Sequence, residues 1–283
     1  MKISLGTAQF GGDYGSFNLR GQVPYAEVKK ILSTAEGAGL VMLETARGYG
    51  ESESTLALLG APSRFQIVSK CPVLSEEPDP VAALQLAFET SRSALSVSKL
   101  YGYLLHNADD LLLPGVWSAL KELRDSGRVT NIGISSYDVQ MARNYCDQYY
   151  LNIVQLPANV LDPWFESVDF PEFVDLHVRS VFLQGFLLSK QVELPEHMLQ
   201  FSNVLQQFHN DAAAQGLTPL QAALLPLLAC NKVAKIIVGV DELTQITEIL
   251  QAEIFLRNRP SQRFGPYKGV TSNLTDPRKW NIS

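Results

Sequence analysis

Two kinds of stretch alternate along the chain. Short apolar or β-branched runs occur at 2–6 (KISLG), 41–44 (VMLE), 65–70 (FQIVSK), 100–106 (LYGYLLH), 130–135 (TNIGIS), 151–156 (LNIVQL), 179–184 (RSVFLQ) and 234–239 (AKIIVG). Most are apolar throughout rather than at every second residue, as in parallel strands covered on both faces. Between most of them lie segments with apolar residues at helical spacing, such as PYAEVKKILSTAEGAG, PVAALQLAFETSRSAL and LPGVWSALKELRDSG. Eight such units with short connections predict an α/β fold, a (β/α)8 TIM-type barrel. The rival, a doubly wound sheet, needs a G-x-G-x-x-G turn after the first strand, and GTAQFGGDYG does not have that spacing. The barrel is expected over residues 1–255. Residues 256–283 are polar, marked by Pro and Gly, and read as an extended C-terminal tail.

Composition narrows the partners. With 283 residues, 46% of them hydrophobic, the chain can bury a large core as one barrel domain. A net charge of −6 and a pI near 5.3 argue against nucleic acid or an acidic membrane as partner. Cys71, Cys146 and Cys230 are far apart and lack metal-ligand spacing, so a reduced, cytoplasmic protein is expected. MKISLGTAQFGG lacks the apolar region of a signal peptide, and AALLPLLAC is too short to span a bilayer and contains Pro226. Nothing decides between a monomer and a small homo-oligomer.

A barrel gathers its chemistry at the C-terminal ends of its strands. There the sequence places Glu44, Lys70, His106, Ser135, Ser136, Gln155, Gln184, Gly185 and Gly239, with Tyr49 just beyond Glu44 between two glycines. A phenol near pKa 10 is a poor acid at neutral pH, but a neighbouring ammonium favours its phenolate, and a carboxylate keeps that ammonium charged. A neutral histidine can orient a carbonyl oxygen. This set delivers a proton but no hydride, so a nicotinamide cofactor is implied. Gly48 and Gly50 give the turn that carries Tyr49 the freedom to reach the barrel axis.

Several motifs in order resemble the aldo-keto reductases over nearly the whole chain: LGTAQFGG, ETARGYGESE, IVSK, LLH, GRVTNIGISSY, IVQLPANVLD, RSVFLQGFLL and IIVGV. The resemblance implies NADPH- or NADH-dependent reduction of an aldehyde or ketone. By position it makes Tyr49 the proton donor, Lys70 its pKa-lowering partner, His106 the orienting group and Glu44 the acid paired with the lysine. It puts Ser135, Ser136 and Gln155 at the nicotinamide carboxamide and Thr7 beside the ring. It puts Leu183 and Gly185 at the pyrophosphate, and Gly239, Asp241, Gln245 and Glu248 near the adenosine. LGTAQFGGDYG and SVFLQGFLL are also similar to a branch associated with cell-surface polysaccharide biosynthesis, which favours sugar-like carbonyls.

Three positions depart from the family pattern. Glu44 stands for the usual Asp, one methylene longer. Ala158 stands where many relatives carry an aromatic that stacks on the nicotinamide. Asp241 stands where NADP-preferring relatives often place Arg or Lys, so NADH use or weak NADPH binding is expected. The tail holds Arg257, Arg259, Arg263, Lys268, Arg278 and Lys279 against Asp276. It is expected either to clamp an anionic substrate, such as a phosphorylated or nucleotide-linked sugar, or to lie solvated.

Plainer roles compete for other residues. His177, His197 and His209 fall in polar, helix-like stretches and are expected at the surface. Cys71 is assigned to packing. Ser135 and Ser136 have a second role available as caps of a helix starting near Asp138. The acids of ESESTLALLG suit a helix N-terminus. Two functional readings stand: an active reductase, and a nicotinamide-nucleotide-binding or regulatory protein with weakened turnover. A metal-dependent hydrolase would need clustered strand-end ligands, and only His106 and Glu44 qualify.

Overall fold

The structure is a computed structural model that describes residues 1–15, 17–18, 20–259, 262–265, 267 and 270–280. Eight strands pair in sequence order, all parallel, and the last closes on the first: β1 (Ile3–Gly6), β2 (Met42–Glu44), β3 (Gln66–Cys71), β4 (Leu100–Leu105), β5 (Val129–Ser135), β6 (Ile153–Pro157), β7 (Asp175–Arg179) and β8 (Val233–Gly239). The predicted (β/α)8 barrel is therefore the observed one.

The two-residue period of a strand explains how core and site are stacked. Met42, Val68, Leu104, Ile153 and Ile237, from five strands, form a buried cluster separate from the larger one that unites most of the core. Two residues further along the same five strands come Glu44, Lys70, His106, Gln155 and Gly239. Each apolar interior position is thus followed, one layer up, by a candidate site residue. Small residues fill the crowded places: a Cβ at Gly133 would lie 1.8 Å from the Ile153 carbonyl oxygen.

The helices between strands bury one face and are capped locally. Asp79 accepts from the Val81 and Ala82 amides at the start of Pro80–Ala94. Thr218 and Gln221 form a capping box on Pro219–Ala229. Among the described residues no single helix is long and apolar enough to cross a membrane.

Four expectations change. The seventh strand is Asp175–Arg179, not 179–184. Its polar letters conceal it, whereas the apolar run after it is a loop in which Ser180, Leu183, Gln184 and Gly185 all adopt positive φ. His177 is consequently not at the surface; it is 1% exposed, with Nδ1 unpartnered. The boundary at 255 falls inside the helix Leu243–Arg257. The segment beyond is not a solvated tail, because Phe264, Leu274 and Trp280 are buried and the Trp280 indole donates to the Leu274 carbonyl at 3.0 Å. Lys268 lies outside the described residues.

Candidate active site

Tyr49 sits on a turn bound to its neighbours by backbone contacts. The Arg47 amide donates to the Lys70 carbonyl at 3.1 Å, and the Glu51 amide donates to the Gly11 carbonyl at 3.1 Å. Of the two flanking glycines only Gly50 adopts a left-handed φ, +53°, and a Cβ there would lie 2.2 Å from the Gly11 oxygen; Gly48 faces open space. The turn brings the phenol over Lys70, whose Nζ donates to the Tyr49 hydroxyl at 2.9 Å and to the Thr45 carbonyl at 3.2 Å.

Lys70 is 1% exposed and makes an ion pair with Glu44. Gln155 Nε2 donates to Glu44 Oε1 at 3.3 Å, and Ser135 Oγ donates to Gln155 Oε1 at 3.2 Å. One hydrogen-bonded chain therefore runs through the buried Ser135, Gln155, Glu44 and Lys70 to the half-buried Tyr49. The longer Glu44 side chain is compatible with both the lysine and the glutamine contact.

Burial sets the charge states. It pushes the Tyr49 phenol above its ordinary value, reinforced by Tyr14 and opposed by Arg179. The expected lowering by Lys70 is thus outweighed, and Tyr49 is a protonated phenol at neutral pH. Burial also lowers Lys70 well below an ordinary lysine, with Arg179 adding repulsion; the Glu44 carboxylate supplies the counter-charge for its ammonium. His106 is exposed at the mouth, its ring edge-on to Tyr49 at 6.2 Å between centroids. The protein around it desolvates the ring, and with the Lys70 and Arg179 charges this lowers its pKa to about 4. It is neutral at pH 7, as expected.

Beside this group opens a cavity of about 1150 Å³. Glu44 and Tyr49 are among the residues that line it, as are Gly185, Gly239, Asp241, Gln245 and Glu248. Among the described residues Asp241 Oδ1 has no hydrogen-bond partner, and its amide donates to Gln245 Oε1 at 2.7 Å. Such an orphaned acceptor fits a ribose hydroxyl.

Seven strands in sequence-given positions, a closed parallel barrel and a phenol–ammonium pair at its mouth agree with the family-level match. The Aldo/keto reductase family matches residues 2–259. The chain belongs to the aldo/keto reductase family. It is 30% identical over 131 residues to aldo-keto reductases of Mycobacterium sp. strains KMS and JLS, a match spanning 44% of this chain and 47% of each relative. The chain thus spans about half the length of these relatives. Aldo-keto reductase AKR11C1 from Bacillus halodurans, in its holo form, superposes with a TM-score of 0.72 at 18% identity, covering 95% of this chain and 94% of that one. A Pseudomonas aeruginosa aldo-keto reductase family protein, PA4992, gives 0.68 at 20% identity, covering 90% of each chain. These two likenesses concern the fold.

Not every expected cofactor residue of this aldo-keto reductase faces the cavity. Thr7 is fully buried, its hydroxyl donating to the Glu44 carbonyl at 3.0 Å and sharing a 2.7 Å bond with Ser52. Leu183 is fully buried, and Gly185 lines the turn in its place. Ser136 Oγ accepts from the Asp138 amide at 3.0 Å, but the cap of Val139–Gln148 is Asp138 itself rather than either serine. Ala158 is buried and off the cavity wall, so the missing aromatic leaves no gap there. Glu53 lies in the first turn of the helix Ser52–Leu58, as its acidic start suggested, and is also an internal brace, 1% exposed and accepting from Ser69 Oγ at 2.7 Å.

Sequence reasoning missed Arg179. It ends β7 and lines the cavity. The signal was available: Asp175, His177 and Arg179 alternate with Leu176 and Val178, so the charged residues form one file of the strand.

Proposed function

We propose that this chain reduces an aldehyde or ketone, with NAD(P)H as the hydride source and Tyr49 as the proton donor. The observation that carries the reading is the 2.9 Å bond from Lys70 Nζ to the Tyr49 hydroxyl at the cavity mouth, with neutral His106 beside it. Ser135 and Gln155 would hold the nicotinamide carboxamide, and Gly185, Gly239, Asp241, Gln245 and Glu248 the rest of the nucleotide. The bound nucleotide supplies hydride chemistry that no side chain has.

The side chains then have separate tasks. Tyr49 holds its proton at neutral pH because burial disfavours the phenolate. As that proton passes to the carbonyl oxygen, the Lys70 ammonium donates to the oxygen left negative, and Glu44 keeps the ammonium in place. His106, neutral, donates an N–H to the carbonyl oxygen and fixes its approach.

Acids dominate the far part of the cavity wall, with Glu193, Asp241 and Glu248 and no lysine or arginine among the described lining residues there. That pattern favours NADH over a nucleotide with a 2′-phosphate. Small sugar-like carbonyls are the preferred substrate candidates. The continuous Ser135–Tyr49 chain supports turnover over a purely nucleotide-sensing role.

The test follows NADH and NADPH oxidation with aldehydes and keto-sugars, repeated with Tyr49→Phe. Turnover that Tyr49→Phe abolishes while nucleotide still quenches protein fluorescence supports the reductase. Full activity in Tyr49→Phe rejects it, and tight nucleotide binding without turnover of any carbonyl favours the sensing role.

A further inference from the structure

Arg179 is the one cation among the described residues that line the cavity. No carboxylate of the described residues pairs with it. Its Nη2 donates to the Ser136 carbonyl at 3.2 Å and its Nη1 to Ser180 Oγ at 3.4 Å, which leaves part of the five-donor fork unused. A half-buried guanidinium without a counter-ion is costly unless something it binds supplies one.

Its position is fixed from the side. The Arg179 Cζ lies 4.1 Å from the Tyr137 ring centre, and the Arg278 Cζ lies 3.4 Å from the same centre. Two guanidinium groups so near one ring have room only on opposite faces, so Tyr137 is sandwiched between them. Arg278 is itself paired with Asp276 at 2.7 Å, so the C-terminal segment buttresses the ring without adding a free charge. The remaining free charge is Arg179, on the same cavity wall as Tyr49.

We infer that Arg179 is the counter-charge for an anionic group carried by the carbonyl substrate, with Tyr137 and Arg278 as its positioning residues. This deepens the reductase reading and rests on it. The anionic group takes no part in the bond changes; hydride still goes to the carbonyl carbon and the Tyr49 proton to the oxygen. The nucleotide pyrophosphate is the competing anion, but the turn expected to meet it, at Gly185, lies beyond Arg179 along the loop.

The experiment compares succinate semialdehyde with butanal, equal in chain length and different in charge, at saturating nucleotide. The wild type is expected to favour the semialdehyde. Arg179→Gln is expected to lower kcat/KM for it about 10–100-fold, the size of a charge-assisted bond, and to lower that for butanal by a smaller factor, because the Arg179 charge also acts on Tyr49, Lys70 and His106. Arg179→Lys should restore part of the preference. Arg278→Ala should raise KM for the semialdehyde and leave kcat unchanged. Absence of a preference in the wild type, or an equal fall for both aldehydes in Arg179→Gln, overturns the inference. If the wild type turns over neither aldehyde, the reductase reading is decided by the wider panel of aldehydes and keto-sugars, and calorimetry with succinate still reads Arg179: binding lost in Arg179→Gln supports the anion site, and binding that is absent or unchanged overturns it.

Discussion

Lys70 Nζ stands 2.9 Å from the Tyr49 hydroxyl and 4.5 Å from the centre of the Tyr49 ring, so one buried ammonium touches both the acid group and the face of the same phenol. It is also the partner of Glu44, and neither group of that pair is open to water. Removing one charge from a buried pair strands the other, at a cost of about 3–5 kcal/mol, whereas removing both is far milder. Lys70→Met is therefore expected to destabilise by about that amount in urea unfolding, and adding Glu44→Gln should recover most of it. Activity should stay lost in both variants. A double variant as unstable as the single one would show that the pair is not the source.

The turn that carries Tyr49 depends on one glycine and not the other. Gly50 is left-handed at φ +53°, and a Cβ would press on the Gly11 oxygen at 2.2 Å. Gly48 has open space and an ordinary φ. Gly50→Ala is expected to cost more than about 2 kcal/mol, from the left-handed backbone and the clash together. It should also lower turnover by moving the phenol. Gly48→Ala should change stability by less than about 0.5 kcal/mol. Paired thermal melts decide the matter, and equal behaviour of the two variants would contradict this account.

Much of this was legible because a parallel strand leaves a strong mark. Seven of the eight apolar runs lie on the observed strands, and the residues that close them, from Glu44 to Gly239, form one layer above the barrel interior. β7 is easily passed over because its inward file is Asp175, His177 and Arg179, which marks it by alternation alone, while the apolar residues after it pack a loop. A run of hydrophobic letters reports burial and not extension, and a loop buried against helices produces the same letters. The same error hid Arg179 and put His177 at the surface. Thr7 and Ser136 show another limit: a small hydroxyl carries no sign in the sequence of whether it turns to a cavity or to a neighbouring backbone, and here both bond backbone groups.

His177 makes acid stability testable. Burial, with Lys235 beside it, lowers its pKa to about 3, against about 6.5 in an unfolded chain. Above pH 6.5 both states are neutral at this position and it contributes no pH dependence. Between pH 6.5 and 3 the unfolded state binds a proton that the folded state refuses, so stability falls as pH falls. The slope from this residue is about 1.4 kcal/mol per pH unit. Denaturant unfolding of the wild type and His177→Gln at pH 7, 6, 5 and 4 should show their difference constant near neutrality and moving in favour of the variant below pH 6. Parallel curves across that range would mean that His177 takes up a proton while folded.

Asp241 is where nucleotide choice is decided on this reading. Its Oδ1 has no partner, its amide is engaged by Gln245, and Glu248 lines the same wall. Burial raises its carboxyl above the ordinary value, with Gln245 and Arg20 opposing. Near pH 8 the carboxylate is the charged form, and it would repel a 2′-phosphate while accepting a bond from a free 2′-hydroxyl. NADH is therefore expected to quench protein fluorescence at lower concentration than NADPH. The gap should narrow as salt rises, since part of it is repulsion between charges that ions can screen. Asp241→Ala removes both the repulsion and the acceptor, so the ratio of the two dissociation constants should move toward NADPH by about tenfold, near 1.4 kcal/mol. Asp241→Asn keeps a hydrogen-bonding side chain and removes the charge, so it should weaken NADH less than Asp241→Ala does while still admitting NADPH. Equal constants for the two nucleotides in the wild type would remove Asp241 from this role and leave the role proposed for Tyr49 and Lys70 untouched.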